Sequence, residues 1–542
     1  MDYTSAAVQF AAVFVGSIGL AVLFSRFLAR MISNENTPIG RRVAGFESSI
    51  FRLFGVDLGR QMGWREYVTS LLVTNLVVAL LMIFVLAIQG YIPFSRPSGG
   101  GLSPDLIFNT ASSFITNTDL QHYAGELQLS MLSQMLGITF VMFMAPATAI
   151  AASFAFIRSF LRRSSTIGNF HVDFLRSIFF LLLPVAAVSA LLLIAGGVPQ
   201  SLISSETFRT ISGTNQSMTV GPIASLESIK LFGNNGGGYF SANSAYPFEN
   251  PNGFTNIFEI ILMLSLPLSF PLAYGKLMGR GRGITLLVAM LAGLGFMFAL
   301  ALEVPSFPVG LETRFGSTGS ILFNVISVST NTGAANSALV GMSDHTVVSL
   351  FLAMFVQAMP GADGVGLMTM IVYVILTLFI VGLMVGKTPE FLNMKISPND
   401  IKKAVYVFLV HPALILFPTV IAFTSGNAQA IVGTNITPLS YTEVLYEFTS
   451  AAANNGSDYF GALANTPFWN ISTGVVMLLG RYLPIILMLA LAGSFTLKER
   501  KTAGSEPIKT EGATFTIVLI IMIFLLTALT FFPFLVIGPF SS

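Results

Sequence analysis

Gly233-Asn234-Asn235-Gly236-Gly237-Gly238 lies between two apolar segments, where an aqueous loop should end and a membrane helix begin. A glycine run at such a place asks the backbone, not the side chains, to make the contacts, because glycine alone enters φ > 0 without steric cost. Taken singly, it reads as a flexible turn. Its weight comes from repetition. Thr116-Asn117-Thr118-Asp119, Thr330-Asn331-Thr332-Gly333 and Ala453-Asn454-Asn455-Gly456 stand at corresponding places in the chain, and a pattern that recurs at matched positions is a structural unit.

The chain around these stretches is that of a membrane protein. Of its 542 residues, 54% are hydrophobic and 10% charged, and the mean hydropathy is +0.77, outside the range of water-soluble globules. This composition demands lipid as a partner, and a net charge of +2 gives no grounds for nucleic acid. The absence of cysteine excludes disulfides and thiolate metal sites. His122, His171, His345 and His411 are scattered without zinc-ligand spacing and read as packed or interfacial residues.

Ala7–Leu28 is long enough to cross a bilayer. With Asp2 before it and Arg26 and Arg30 at its end, it reads as a transmembrane helix, occupying 1–30, and not as a cleaved signal. A basic cytoplasmic loop over 31–66 follows. One pattern then recurs over 67–163, 170–282, 283–387 and 402–500: an apolar span, a polar segment, a second apolar span and a short basic connection. A last helix covers 510–540. The expected fold is an all-α polytopic membrane protein with about ten transmembrane helices. Four parallel M1-P-M2 repeats surround a central pore, with one extra helix at each end.

Basic residues set the orientation. Arg158, Arg162 and Arg163, then Lys276, Arg280 and Arg282, then Lys387, Lys395, Lys402 and Lys403, then Lys498, Arg500, Lys501 and Lys509 follow successive repeats. The positive-inside rule puts these connections in the cytoplasm, so the polar segments dip in from outside and both termini are extracellular. Every copy starts on the same side, giving parallel repeats about an axis along the membrane normal.

Each dipping segment reads as a short helix. Ser103-Pro104, Gly221-Pro222 and Thr437-Pro438 are start signals, and Ser317 or Thr318 is the cap candidate of the third. Such helices aim their partially negative C-termini at the membrane centre. Irregular backbone at that depth must be buried in protein or line a watery path, and rings of carbonyls can replace a cation's hydration shell. The candidate filter is therefore Asn117, Thr118 and Asp119; Asn234, Asn235 and Gly236; Asn331, Thr332 and Gly333; and Asn454, Asn455 and Gly456. Three triplets end in glycine, whose carbonyls pointing inward would demand an unusual φ/ψ. Asp119 replaces it in the first, as a residue type that tolerates the left-handed region, and is expected to add negative charge near the mouth. A single acid favours K+ over a divalent ion, which would call for rings of carboxylates. K+ is the transported substrate, and no covalently bound cofactor is expected.

Two further features lie below that level. Val347–Val385 is too long for one span and is broken over Gln357–Gly366, which includes Pro360, Gly361 and Asp363. Broken helices at membrane depth line ion paths, although a proline kink packed on neighbours gives the same pattern. Arg481, alone among basic residues inside a span, either repels ions from a straight-through route or pairs with an acid. The chain has no Asp-Lys-Thr-Gly motif, and Gly382–Thr388 is one residue short of P-loop spacing. ATP coupling must then come from a partner.

Several motifs carry a family resemblance. They are Gly55-Val56-Asp57, Asn117-Thr118 with Gln121 and Tyr123-Ala124-Gly125-Glu126, Asn235-Gly236-Gly237-Gly238, Pro247-Phe248-Glu249-Asn250-Pro251, Gly386-Lys387-Thr388-Pro389-Glu390, Asn454-Asn455-Gly456-Ser457 and Asn465-Thr466-Pro467-Phe468-Trp469-Asn470. With them the chain resembles the A-subunit family of the Kdp-type potassium pumps, within the superfamily of potassium transporters built from four channel-like repeats. The resemblance implies a subunit in the prokaryotic plasma membrane that captures extracellular K+ in the filter. It then passes the ion through an intramembrane tunnel to a P-type ATPase catalytic subunit, where ATP is split, with single-span accessory subunits completing the complex. It also implies a tunnel-entrance role for Gln121 and a gating loop over 357–366, with glutamate usual where Gln357 stands and asparagine where Asp119 stands. Two other readings compete. One is an autonomous channel-like potassium transporter gated by a soluble regulatory subunit. The other is a secondary transporter, disfavoured by parallel repeats and few carboxylates within spans.

Overall fold

The computed structural model describes residues 3–33, 38–91, 101–161, 164–302, 313–499 and 508–537. Arg162, Arg163, Arg500 and Lys501, used above for orientation, lie outside them. The chain is a succession of helices: α1 (Tyr3–Ser33), α2 (Pro38–Leu53), α3 (Trp64–Ile88), α4 (Pro104–Ile115), α5 (Ser133–Leu161), α6 (Phe170–Ala195), α7 (Ile223–Phe232), α8 (Gly253–Met278), α9 (Arg280–Ala301), α10 (Gly316–Ser329), α11 (Asp344–Val356), α12 (Val365–Met384), α13 (Pro398–Thr424), α14 (Pro438–Ala453), α15 (Pro467–Thr496) and α16 (Ala513–Ile537).

Among the described residues, ten helices are long and apolar enough to cross a membrane: α1, α3, α5, α6, α8, α9, α12, α13, α15 and α16. They make this a multi-pass membrane protein. Short helices α4, α7, α10 and α14 fall at the four polar segments. The apolar span that the sequence shows as too long is α11 and α12, broken between Val356 and Val365.

Burial sorts the spans into two layers. The second spans of the repeats, α5, α8, α12 and α15, have 83, 78, 67 and 56% of their apolar windows buried in protein, against 28, 33, 50 and 33% for the first spans α3, α6, α9 and α13. The second spans therefore form an inner wall around the short helices, and the first spans stand outside it. Helix α1 packs along α8, and α16 packs against α9, α11 and α12.

Starts of the short helices follow the sequence in two cases. Pro104 and Pro438 occupy the first turns of α4 and α14, and the Thr437 side chain accepts from Ser440 N at 3.2 Å. Two expectations are corrected. Pro222 is the residue before α7 and not its first helical position, and Phe315 precedes α10, leaving Ser317 and Thr318 inside the helix. Arg158, counted among the loop charges, is buried. Its guanidinium bonds both oxygens of Asp173 at 2.9 Å and the carbonyls of Ile32 and Ile167 at 2.9 Å, pinning the first repeat to the second. An exposed hairpin, β1 (Ser205–Arg209) with β2 (Asn215–Thr219), decorates the connection from α6 to α7.

Candidate functional site

The four short helices end at one place, and each ends the same way. The first residue of every triplet is left-handed, with φ of 60° at Asn117, 47° at Asn234, 51° at Asn331 and 53° at Asn454. Asparagine enters this region more readily than most residues. The next amide bonds back to the helix in a Schellman closure: Thr118 N to Ser113 O at 3.0 Å, Asn235 N to Lys230 O at 2.7 Å, Thr332 N to Ser327 O at 2.8 Å and Asn455 N to Ser450 O at 2.9 Å. At the third position Asp119, Gly333 and Gly456 are also left-handed, but Gly236 is not; there the positive φ passes to Gly237, at 65°.

The triplets form a ring. A Cβ built on Gly456 would lie 1.8 Å from Thr118 O, one on Gly333 1.8 Å from Asn455 O, and one on Gly236 2.6 Å from Thr332 O. The third residue of each of these strands thus sits directly against the second-position carbonyl of the next, in the order two, three, four, one. Asparagine amides cross the same seams. Asn117 Nδ2 donates to Asn234 O at 2.5 Å, Asn234 Nδ2 to Thr332 Oγ1 at 2.9 Å, Asn331 Nδ2 to Ala453 O at 2.9 Å and Asn454 Nδ2 to Thr118 Oγ1 at 2.9 Å. All four of these triplets, expected as one filter, are brought together.

Asp119 also ties two strands together. Its side chain is fully buried, and its Oδ2 accepts from Gly236 N at 2.8 Å, strapping the first strand to the second. With the partially negative ends of four helices aimed at the ring and the carbonyl oxygens of Thr332, Thr118 and Asn455 at 2.6, 3.1 and 3.3 Å from the place of a Cβ on Gly236, the arrangement offers a dehydrated cation an oxygen-lined seat.

Space opens on both sides of the ring. On the near face, from which the short helices enter, a vestibule of about 340 Å³ is lined by Asp119, Gln121, Tyr123, Gly237, Gly456 and Asp458 among others. Burial pushes the Asp458 carboxyl up to about 8, helped by the charge of Glu447 and opposed by His122. On the far face, a cavity of about 50 Å³ is lined by Asn331 and Asn454 together with Gln357, His411, Arg481 and Phe531. Gln121 therefore stands on the near side. Its Oε1 accepts from Gly238 N and its Nε2 donates to Gly238 O, both at 3.0 Å. With these two bonds it clamps the strand leaving the second triplet.

The break between α11 and α12 folds under the ring. Gln357 ends α11 with φ 51°. Gly361 N donates to Ser329 O, the last residue of α10, at 2.9 Å. A Cβ on Gly364 would meet Ser153 Oγ of α5 at 2.2 Å and Phe270 of α8 at 2.9 Å, so the loop carrying Pro360 and Asp363 reaches across to the first and second repeats. Asp363 is 1% exposed and neither carboxylate oxygen has a hydrogen-bond partner. Arg481 donates to Ala145 O at 3.5 Å and makes no hydrogen bond to Asp363, although its charge acts on it.

Two buried clusters escaped sequence reasoning. Lys230 Nζ, in α7, meets Glu249 Oε2, Glu227 Oε2, Asn243 Oδ1 and Ser244 Oγ, each at 2.8 Å, and Glu249 Oε1 accepts from Phe240 N at 2.8 Å. This pins the strand that leaves the second triplet. His122 joins Glu447 at 3.1 Å and Asn470 at 2.8 Å, bracing the first strand against α14 and α15. The available signal was the charge inside short helices otherwise apolar enough to be buried.

Residues 11–542 match the family described as Potassium-transporting ATPase A subunit. The chain is similar to proteins named potassium-transporting ATPase potassium-binding subunit from Geobacillus kaustophilus (40% identical, 98% of each chain), Clostridium acetobutylicum (40%, 98% of this chain and 99% of the other) and Alicyclobacillus acidocaldarius (42%, 92% and 91%). Its fold is similar to that of the potassium transporter TrkH from Vibrio parahaemolyticus, with a TM-score of 0.51 at 15% identity over 91% of this chain and all of the other.

Proposed function

Because the chain belongs to the potassium-transporting ATPase A subunit family, we propose that the ring at the ends of α4, α7, α10 and α14 is the potassium filter of the potassium-binding, non-catalytic subunit of an ATP-driven uptake pump. The observation that carries this reading is the convergence of Thr118, Thr332 and Asn455 carbonyls onto positions where a Cβ has no room. Carbonyls held so closely exchange for the hydration shell of a large monovalent cation.

The near face is extracellular and the membrane is a prokaryotic plasma membrane, with both termini outside. K+ enters the vestibule past Asp119 and Gln121 and loses water in the ring. Below it, the loop over 357–364 and the positive charge of Arg481 obstruct the straight route. The ion instead leaves sideways, by the cavity that His411 and Phe531 line, into a tunnel toward a P-type ATPase catalytic subunit that uses ATP. Single-span accessory subunits complete the assembly. Family membership does not favour an autonomous channel gated by a soluble subunit.

The test is Gly236→Asp, which places a side chain where a Cβ alone lies 2.6 Å from Thr332 O. K+-stimulated ATP hydrolysis by the co-purified complex should require more K+. An unchanged apparent K+ affinity would sink the assignment.

A further inference from the structure

We propose that the bore of the ring is set by side-chain links between repeats, and that the hydroxyls of Thr118 and Thr332 carry the links of the two seams that are least crossed at ring level. This rests on reading the ring as the K+ filter.

The four seams are not equivalent. Between repeats one and two, Asn117 donates forward to backbone, Asn235 Nδ2 donates back to Met142 O of α5 at 3.1 Å, and Asp119 holds Gly236 N. Between three and four, Asn331 donates forward to backbone and Asn455 Nδ2 reaches back to Val328 O at 3.5 Å. These seams are crossed in both directions. Among the described residues, the other two are crossed at ring level by one side-chain link each, Asn234 to Thr332 and Asn454 to Thr118, with a hydroxyl as acceptor. At ring level the two clamped halves thus meet through two threonines, while His122 with Glu447 and Asn470, and Asn336 with Asn256, brace the same two seams just beyond the ring.

The proton order of each junction is fixed by its surroundings. Thr330 Oγ1 donates to Ile326 O at 2.8 Å, so in the 2.7 Å contact between Thr330 and Thr332 the Thr332 hydroxyl is the donor. Its remaining lone pairs face the Asn234 amide. The same chain runs from Asn454 through Thr118 and Thr116 to Ser112 O, with 2.7 Å between the threonine hydroxyls and 2.7 Å to the carbonyl. Each hydroxyl must both accept and donate, which serine reproduces and valine, although similar in shape, does not. A carbonyl ring discriminates between ions of different radius only to the extent that it resists relaxing around the wrong one.

The experiment compares Thr332→Val, Thr332→Ser and Thr118→Val in the co-purified complex, using the ratio of apparent activation constants for Rb+ and K+ in ATP hydrolysis. Losing one buried hydrogen bond from the junction should narrow the K+ preference about fivefold in each valine variant, while Thr332→Ser keeps the wild-type ratio. A purely structural role would lower yield or turnover and leave the ratio alone. A wild-type ratio in both valine variants, or an equal loss in Thr332→Ser, overturns the proposal. Gly236→Asp measured alongside separates the two levels. If it weakens K+ activation while the valine ratios stay put, the links alone are refuted; if it has no effect, the filter reading itself falls.

Discussion

Gly333→Ala separates geometry from general strain. Gly333 has φ +74°, and a Cβ there lies 1.8 Å from Asn455 O. A left-handed alanine costs about 1–2 kcal/mol wherever it is placed. The contact adds something specific: the carbonyl must retreat by about 1.2 Å, the gap between 1.8 Å and the 3.0 Å that real Cβ atoms keep. A carbonyl moved that far no longer completes the ion's shell, a loss of about 1–3 kcal/mol, or roughly 5- to 150-fold in affinity. Gly426→Ala is the control, with φ +79° and nothing within 4 Å of its Cβ. Gly426→Ala should lose only the stability that its φ costs and Gly333→Ala more, and only Gly333→Ala should raise the K+ concentration for half-maximal ATP hydrolysis by the complex. Equal K+ activation in the two variants would refute the claim that the carbonyls of the ring hold the ion.

Other outcomes follow from residues around the ring. The Asp458 carboxyl, pushed up to about 8 by burial, is neutral below that pH and charged above it, so apparent K+ affinity should improve as pH rises through about 8. Asp458→Asn should flatten that profile, and a profile identical to wild type would exclude the residue. Arg158→Met leaves Asp173 buried without its bidentate partner, which should cost about 3–5 kcal/mol and lower the thermal midpoint of the purified complex; an unshifted midpoint would count against the pin. Gln121→Leu removes both bonds to Gly238 and should weaken K+ activation. A variant that binds K+ normally yet fails to transport it would instead place Gln121 at the entrance of the ion's onward path.

Much of the fold was legible because apolar length is a one-dimensional property. The ten spans, the four short helices and their Thr/Asn/Gly stops lie where hydropathy puts them, and two of the short helices begin at their proline signals. Tertiary partners were not legible. The asparagines entered the sequence reading through their backbone carbonyls, and the links that their side-chain amides make to neighbouring repeats went unseen, because a donor 117 residues from its acceptor leaves no local signature. For Asp119 the left-handed backbone was legible, but the bond from its side chain to an amide on another strand was not. Arg158 looked like a cytoplasmic loop charge until Asp173 and two carbonyls enclosed it. The hairpin at Ser205–Arg209 and Asn215–Thr219 has polar strands exposed on both faces, so no alternation marked it.

Because the ring comes from one chain, its four quadrants can differ, and they do. A ring of identical subunits obeys its rotation axis, so whatever opens below one wall must open below all. Here the far cavity is bounded by Asn331 and Asn454, Gln357 and Arg481, all from the third and fourth quadrants, with Phe531 of the closing helix. Joining the repeats covalently releases them from equivalence. A cavity that symmetry would otherwise hold on the axis is free to lie to one side of it.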